Sequence, residues 1–273
     1  MASSTDNVKL GVCTVIFDGV DLGYTKGGVE VTVSTETHEV TVDQFGSTPI
    51  GELINGRQVM AKCPLAETTI DNLALVMPGA TIVSDGTKAT GTVTFVTTPP
   101  VNNDSVTING VTFTFRTVPL IITDLAIPAT IAAAAIAFAA AVNANPCDFK
   151  ATAAAGIVTL TNRFRSALGN VAFTKVGGAN ITLVGATGGV NATRAKVVVT
   201  NGVGLNMLTL AKTLVLRPRG TTGSDDFVIF KAMCPGAMNF SFNTDAERIF
   251  NSEFKGYIQA DGTLFSIGDQ AAV

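Results

Sequence analysis

The sequence predicts a mainly β protein: an antiparallel β-sandwich or barrel with one flanking helix, plus an inserted small α+β domain. Three observations predict it. Short runs of alternating apolar and polar residues recur near both ends of the chain, punctuated by Gly, Pro, Asn and Asp. Only two segments carry helical spacing. The middle third differs from its flanks in charge and texture, as expected for a domain inserted into a loop of another. At 273 residues there is material for one large or two medium domains. Apolar residues make up 47% and charged residues only 14%. So small a share of charge implies that partners cover part of the surface.

The outer body begins with a strand at GVCTVIFDGV, followed by a turn. Next come two strand-like runs between Val31 and Ala66. Val29, Val31 and Val33 share one face, while Glu30, Thr32, Ser34 and Glu36 share the other. Beyond His38 the phase flips, with Val40 and Val42 apolar, which predicts a bulge or bend over residues 36–39. The return strand ends at Cys63-Pro64, where a proline suits a strand terminus. Residues 43–56 read as a loop between the two runs. Phe45, Ile50, Leu53 and Ile54 make it too apolar for a free loop, but suitable for docking on a neighbouring subunit or ring.

ETTIDNLALVMPG then predicts the flanking helix. Thr68 or Thr69 is its cap, Ile70, Leu73 and Met77 lie on one face, and Pro78-Gly79 is its stop. In the second half, KVVVTNGVGLNMLTLAKTLVLRP, FVIFKAM, MNFSFN, RIFNSEFKGYIQ and TLFSI are five strand candidates. Phe250, Phe254 and Ile258 are expected to point one way, and Asp261-Gly262 to form a hairpin turn.

The insert, residues 91–194, holds three acids and six bases, whereas the rest of the chain is acidic. It is bracketed by TKAT and NATRAK. SVTINGVTFTF reads as a hairpin around Asn109-Gly110, and DFKATAAAGIVTLTNR as a second around Ala155-Gly156. Two short strands, near VAFTKV and NITLVG, complete it. Between the hairpins, LAIPATIAAAAIAFAAAV is barely long enough to span a bilayer, carries Pro128 and Thr130, and is mostly alanine. Ile127, Ile131, Phe138 and Val142 form a stripe, so it reads as a helix packed on a sheet and not as a membrane segment.

Chemistry leaves few marks. A net charge of −3 does not suit a generic nucleic-acid binder. The polar N-terminus, MASSTDNVKL, lacks an apolar signal core. Cys13, Cys63, Cys147 and Cys234 lie far apart and His38 is the only histidine, so neither a metal cluster nor a catalytic triad is expected. GVGLNM at 202–207 lacks the third glycine and helix of a dinucleotide loop. Asp225 and Asp226, in TTGSDD, read as an exposed turn and not as a glycosidase pair. Neither an enzyme nor a cofactor is expected.

HEVTVDQFGSTPIGELINGRQVMAKCPLAETTIDNLALVMPGA, with EFKGYIQADGTLFSIGD near the C-terminus, resembles the tail tube proteins (major tail proteins) of long-tailed bacteriophages. The likeness covers about residues 1–90 and 195–273. The insert lies outside it, and its V-T-I-N-G-V-T-F-T-F start looks like modules of several phage tail proteins. The resemblance implies a sandwich with a flanking helix that forms hexameric rings, stacked into a tube whose lumen conducts DNA. Each subunit would give a long hairpin to a shared inner barrel. It also implies tail tip, tail terminator and tape measure proteins as partners, a place in the virion tail after assembly in the bacterial cytoplasm, and no membrane. On that footing Glu30, Thr32, Ser34 and Glu36 are lumen-lining candidates, the other face, with Glu39, Thr41 and Asp43, being an alternative that is also acidic. Phe45, Ile50, Leu53 and Ile54 are inter-subunit or inter-ring candidates. The insert would stand on the outer wall, which suits a flexible, non-contractile tail. A secreted or surface β-rich adhesin or filament protein is the alternative.

Overall fold

A computed structural model describes residues 11–221, 223–236, 242, 244–245 and 247–270. The polar N-terminal stretch and nearly all of the MNFSFN strand candidate lie outside the described residues. The protein is mainly β, its sheets are antiparallel apart from one short pairing, and it has few helices.

The outer body opens with β1 (Cys13–Phe17), β2 (Val20–Asp21), β3 (Glu30–Thr41) and β4 (Pro49–Leu65), followed by α1 (Ile70–Val76) and β5 (Ala80–Ser84). It resumes after the insert with β14 (Ala195–Val199), a single helical turn α3 (Met207–Leu210), β15 (Lys212–Pro218), β16 (Asp226–Met233), β17 (Phe250–Gly256) and β18 (Phe265–Gly268). Eight of these strands form one sheet in the order β2-β1-β15-β16-β17-β4-β3, with β18 also on β16. The sheet curls strongly. Phe17 on β1 and Phe254 on β17 would stand about 14 Å apart in a flat sheet, at about 4.8 Å per strand, yet their rings are 4.9 Å apart. The chain after β2 returns to the far side of the curl, where Thr25 bridges Leu65 and the Lys26 N–H donates to the Pro64 carbonyl. Inside lie Phe17, Leu65, Leu214, Ile229, Phe250 and Phe254, all fully buried.

Local chemistry accounts for these elements. Along β17, Phe250, Ser252 and Phe254 turn inward while Asn251, Glu253 and Lys255 face out. The buried Ser252 hydroxyl is satisfied by donating to the Cys63 carbonyl at 2.7 Å. Ile258, expected to extend this stripe, falls beyond the strand and is exposed. Asp261-Gly262 does turn the chain, with Gly262 at positive φ, but it does not make a hairpin of β17 and β18. Both pair with β16, one after the other along its edge, at Ala232–Met233 and at residues 226–229 respectively. Thr69 caps α1, its hydroxyl accepting from the Asn72 N–H at 3.2 Å. The deepest residues of α1 are Asn72 and Val76, not the expected Ile70, Leu73 and Met77. The Asn72 amide fixes that face by donating to the carbonyls of Leu22 (2.9 Å) and Glu67 (3.2 Å). The GVGLNM loop leads into α3, one helical turn capped by Asn206.

The insert comprises β6 (Thr90–Phe95), β7 (Ser105–Ile108), β8 (Val111–Arg116), β9 (Asp124–Ala126), α2 (Ile131–Ala144), β10 (Phe149–Ala154), β11 (Ile157–Asn162), β12 (Thr174–Val176) and β13 (Ile181–Thr187). They form two four-stranded sheets, β10-β11-β6-β13 and β12-β7-β8-β9. Both expected hairpins are present, with positive φ at Asn109, Gly110, Ala155 and Gly156, the conformation that matches strand twist. Helix α2 begins at Ile131, capped by Thr130, so Ile127 precedes it and does not belong to its stripe. Pro128 and the cap set that start. Phe138 is fully buried, edge-on to Phe95 and Phe113. The buried cores of the two bodies share no residue.

A neck joins them. Strands β5 and β14 pair along their full length, and Thr87 bridges Val190 beyond them. The Asp85 carboxylate accepts from the Thr193 hydroxyl and from the N–H groups of Thr193 (2.9 Å) and Arg194 (3.0 Å). These donors, the Thr193 hydroxyl foremost, hold its carboxyl below the usual carboxylate range. The insert also touches the outer body away from the neck. Gly19, at positive φ, lies under the Asn143 carbonyl so closely that a Cβ there would sit 2.1 Å from the oxygen. Any side chain at position 19 would push the bodies apart.

Candidate assembly ribbon

Strands β3 and β4 make a two-stranded ribbon that outruns the rest of the sheet. β3 pairs with β4 from Glu30 opposite Lys62 to Thr41 opposite Pro49. On its other side β4 is paired with β17 only over residues 60–65. Among the described residues, residues 49–59 of β4 have no strand on that side, and β3 has none along its outer edge. A two-stranded ribbon alone is marginally stable in water, and its open edges template pairing with another chain. At about 3.3 Å per residue, the part beyond Gln58 reaches roughly 25–30 Å.

The expected 43–56 loop is thus shorter than the sequence implied. Only residues 42–48 connect the strands, with a short 3-10 turn at Asp43–Phe45. Ile50, Leu53 and Ile54 are residues of β4, where Leu53 opposes His38 and Ile54 opposes Thr37. All three are more than half exposed, as is Phe45 in the connection. Opposed residues share a face, so Leu53 and Ile54 put apolar surface on both sides of the ribbon.

The register slips twice, between Glu36 and Thr37 and between Val40 and Thr41. The first slip lies at the edge of the expected 36–39 window. Its extra residue, Asn55, belongs to β4 and not to β3. Strand β3 therefore keeps its alternation, and Val40 lies on the same face as Glu36. Only the partner strand shows why this is so, and one strand's pattern cannot reveal it.

Glu30, Thr32, Ser34 and Glu36 share one face of β3 and all are exposed. They oppose Lys62, Met60, Gln58 and Gly56. Val31 and Val33 take the other face opposite Ala61 and Val59, which are buried in the core of the outer body. The acidic residues are less alone than the sequence suggested. Lys62 stands between Glu30 and Glu253, and Lys255 lies beyond Met60, so three carboxylates share the face with two ammonium groups. Its formal charge is −1, carried at the far end by Glu36.

The remaining candidates separate cleanly. His38 is exposed on the ribbon, opposite Leu53. Asp226 is fully buried and not in an exposed turn, because Arg217 on β15 grips it through three contacts of 2.7 to 3.1 Å. Cys63, Cys147 and Cys234 are buried free thiols, and burial pushes each thiol upward, away from the reactive thiolate. No helix among the described residues is long and apolar enough to cross a membrane. The sequence matches no protein-family model and no curated protein.

Proposed function

We propose that this protein is a structural subunit which polymerises with copies of itself through the β3–β4 ribbon, as a tail tube protein does. One observation carries the reading: a ribbon open along both edges, with Phe45, Ile50, Leu53 and Ile54 exposed on it. Pairing ribbons around a closed ring would satisfy every edge and leave no free template. The resemblance of about residues 1–90 and 195–273 to tail tube proteins supplies the symmetry, hexameric rings stacked into a tube of the virion tail. Tail tip, terminator and tape measure proteins would be its partners, and DNA its passenger. Negative-stain microscopy of the purified chain should show rings or hollow tubes. Solid filaments without a bore would favour a surface adhesin or filament protein, and a monodisperse monomer at high concentration in every salt would end the proposal.

In such a tube the face bearing Glu30 and Glu36 would line the bore, repeated six times per ring. Its slight negative charge would keep phosphates from settling on the wall, since a basic wall binds DNA by releasing counterions. Glu30→Lys with Glu36→Lys turns the face from net −1 to net +3. Tubes should still form, while DNA delivery from assembled particles should slow by tenfold or more (~1.4 kcal/mol on the rate-limiting barrier). Screening confines the effect to about 8 Å from the wall at physiological salt. Normal delivery through tubes carrying both lysines would sink the idea of a non-stick bore at these positions.

A further inference from the structure

The cleft where the insert meets the outer body gathers four cations. It encloses about 500 Å³, and Lys88 from the neck lines it together with Lys150, Arg163 and Arg165 from the insert. Only two carboxylates, Asp18 and Asp71 of the outer body, line it with them. Asp18 is taken by Lys150 (3.0 Å) and lies 3.8 Å from Arg163, and Asp71 stands 3.7 Å from Arg165. Among the groups that line this half-enclosed space two positive charges are left over, and Asp148 acts on Arg163 from outside the lining.

Hydrogen bonding is equally incomplete. Arg163, with its side chain 6% exposed, spends Nε on the Phe149 carbonyl, while its buried Nη2 has no acceptor among the described residues. The buried Nη1 of Arg165 has none either. Lys88 makes neither a hydrogen bond nor an ion pair among the described residues. Burial, then the charge of Arg165, pulls its ammonium pKa down from the ordinary lysine value. A buried guanidinium N–H without an acceptor and a cluster of like charges both cost stability unless an anion completes them.

We infer that this cleft binds a doubly charged phosphate group, held by Lys88, Lys150, Arg163 and Arg165. The charge matches, since a phosphate dianion neutralises the two excess cations, and forked guanidinium donors suit its oxygens. The volume far exceeds one ion, and Leu75, Ile82 and Phe164 supply an apolar wall, so the natural form is a phosphate monoester with a small organic body. Both walls belong to a single chain, so the site does not depend on ring or tube assembly.

Titration calorimetry of the full chain with inorganic phosphate, and separately with glycerol phosphate, tests this against chloride at equal ionic strength. Both phosphates should bind and chloride should not. Tighter binding of the ester would assign the apolar wall, and equal binding would assign free phosphate. Lys88→Met strands no carboxylate and should weaken phosphate about tenfold, the loss of one charge-assisted contact. Asp71→Asn frees Arg165 from a competing anion and should tighten it several-fold, a gain that misfolding would not produce. Phosphate heats no larger than those of chloride would overturn the inference. So would binding unaltered in both variants.

Discussion

Replacing residues 37–55 with Asn-Gly is expected to abolish assembly and leave the monomer folded. The cut joins Glu36 to Gly56, which face each other across the ribbon, through a two-residue turn suited to paired strands. It removes Phe45, Ile50, Leu53 and Ile54 together with about half of the open edge, the outer half. None of these belongs to a buried core, and the ribbon residues that do, Val59, Ala61, Cys63 and Leu65, are kept. Stability of the monomer should therefore change by less than about 1 kcal/mol, as for other surface changes. Light scattering, microscopy and urea denaturation read the two halves separately. Rings formed by the shortened chain would show that another surface drives assembly. An unfolded shortened chain would show that the ribbon belongs to the fold.

The sequence displayed what depends on a residue and its near neighbours. Asn109-Gly110 and Ala155-Gly156 specify their turns through positive φ, and Thr69 marks a helix start through its hydroxyl, whereas the stripe read from Ile127 begins too early and misses the cap at Thr130. The alternation of Val31 and Val33 against Thr32 and Ser34 placed the core face of β3 correctly, because burial of one face fixes the period. What stayed hidden depends on residues far apart in the chain. Residues 49–56 look like a loop because Gly51, Asn55 and Gly56 break the pattern, yet pairing with β3 holds them extended. The open edges of the ribbon are a property of which strands end where, and no local pattern encodes that. Nothing near Asp71 or Asp18 announces that Arg165 and Lys150 will face them, so the basic cleft was not legible at all. Asp226 misled for the same reason: a Gly-Ser-Asp-Asp run resembles a solvated turn until its partner, nine residues earlier, is known.

That partner makes Asp226 a damaging position to alter, although it is neither apolar nor part of the hydrophobic core. Arg217 and Asp226 begin opposite ends of the β15–β16 connection, where Leu216 faces Phe227. The Asp226 side chain is fully buried, Arg217 is 14% exposed, and the guanidinium meets both carboxylate oxygens. Removing one member of such a pair costs about 3–5 kcal/mol, because the other is left charged in a place with no water to receive it. Asp226→Ala should lose that amount, measured by urea denaturation in the shortened-ribbon background, where assembly cannot contribute to apparent stability. Arg217→Met alone should lose a similar amount. Arg217→Met with Asp226→Leu should recover most of it, since an apolar pair of similar volume removes the stranded charge. This order follows from desolvation and not from the attraction between the two groups: if attraction outweighed desolvation, the double variant would be as unstable as either single one. A loss below about 1 kcal/mol for Asp226→Ala would mean that the site behaves as an exposed salt bridge. Water would then reach Arg217 once the carboxylate is gone.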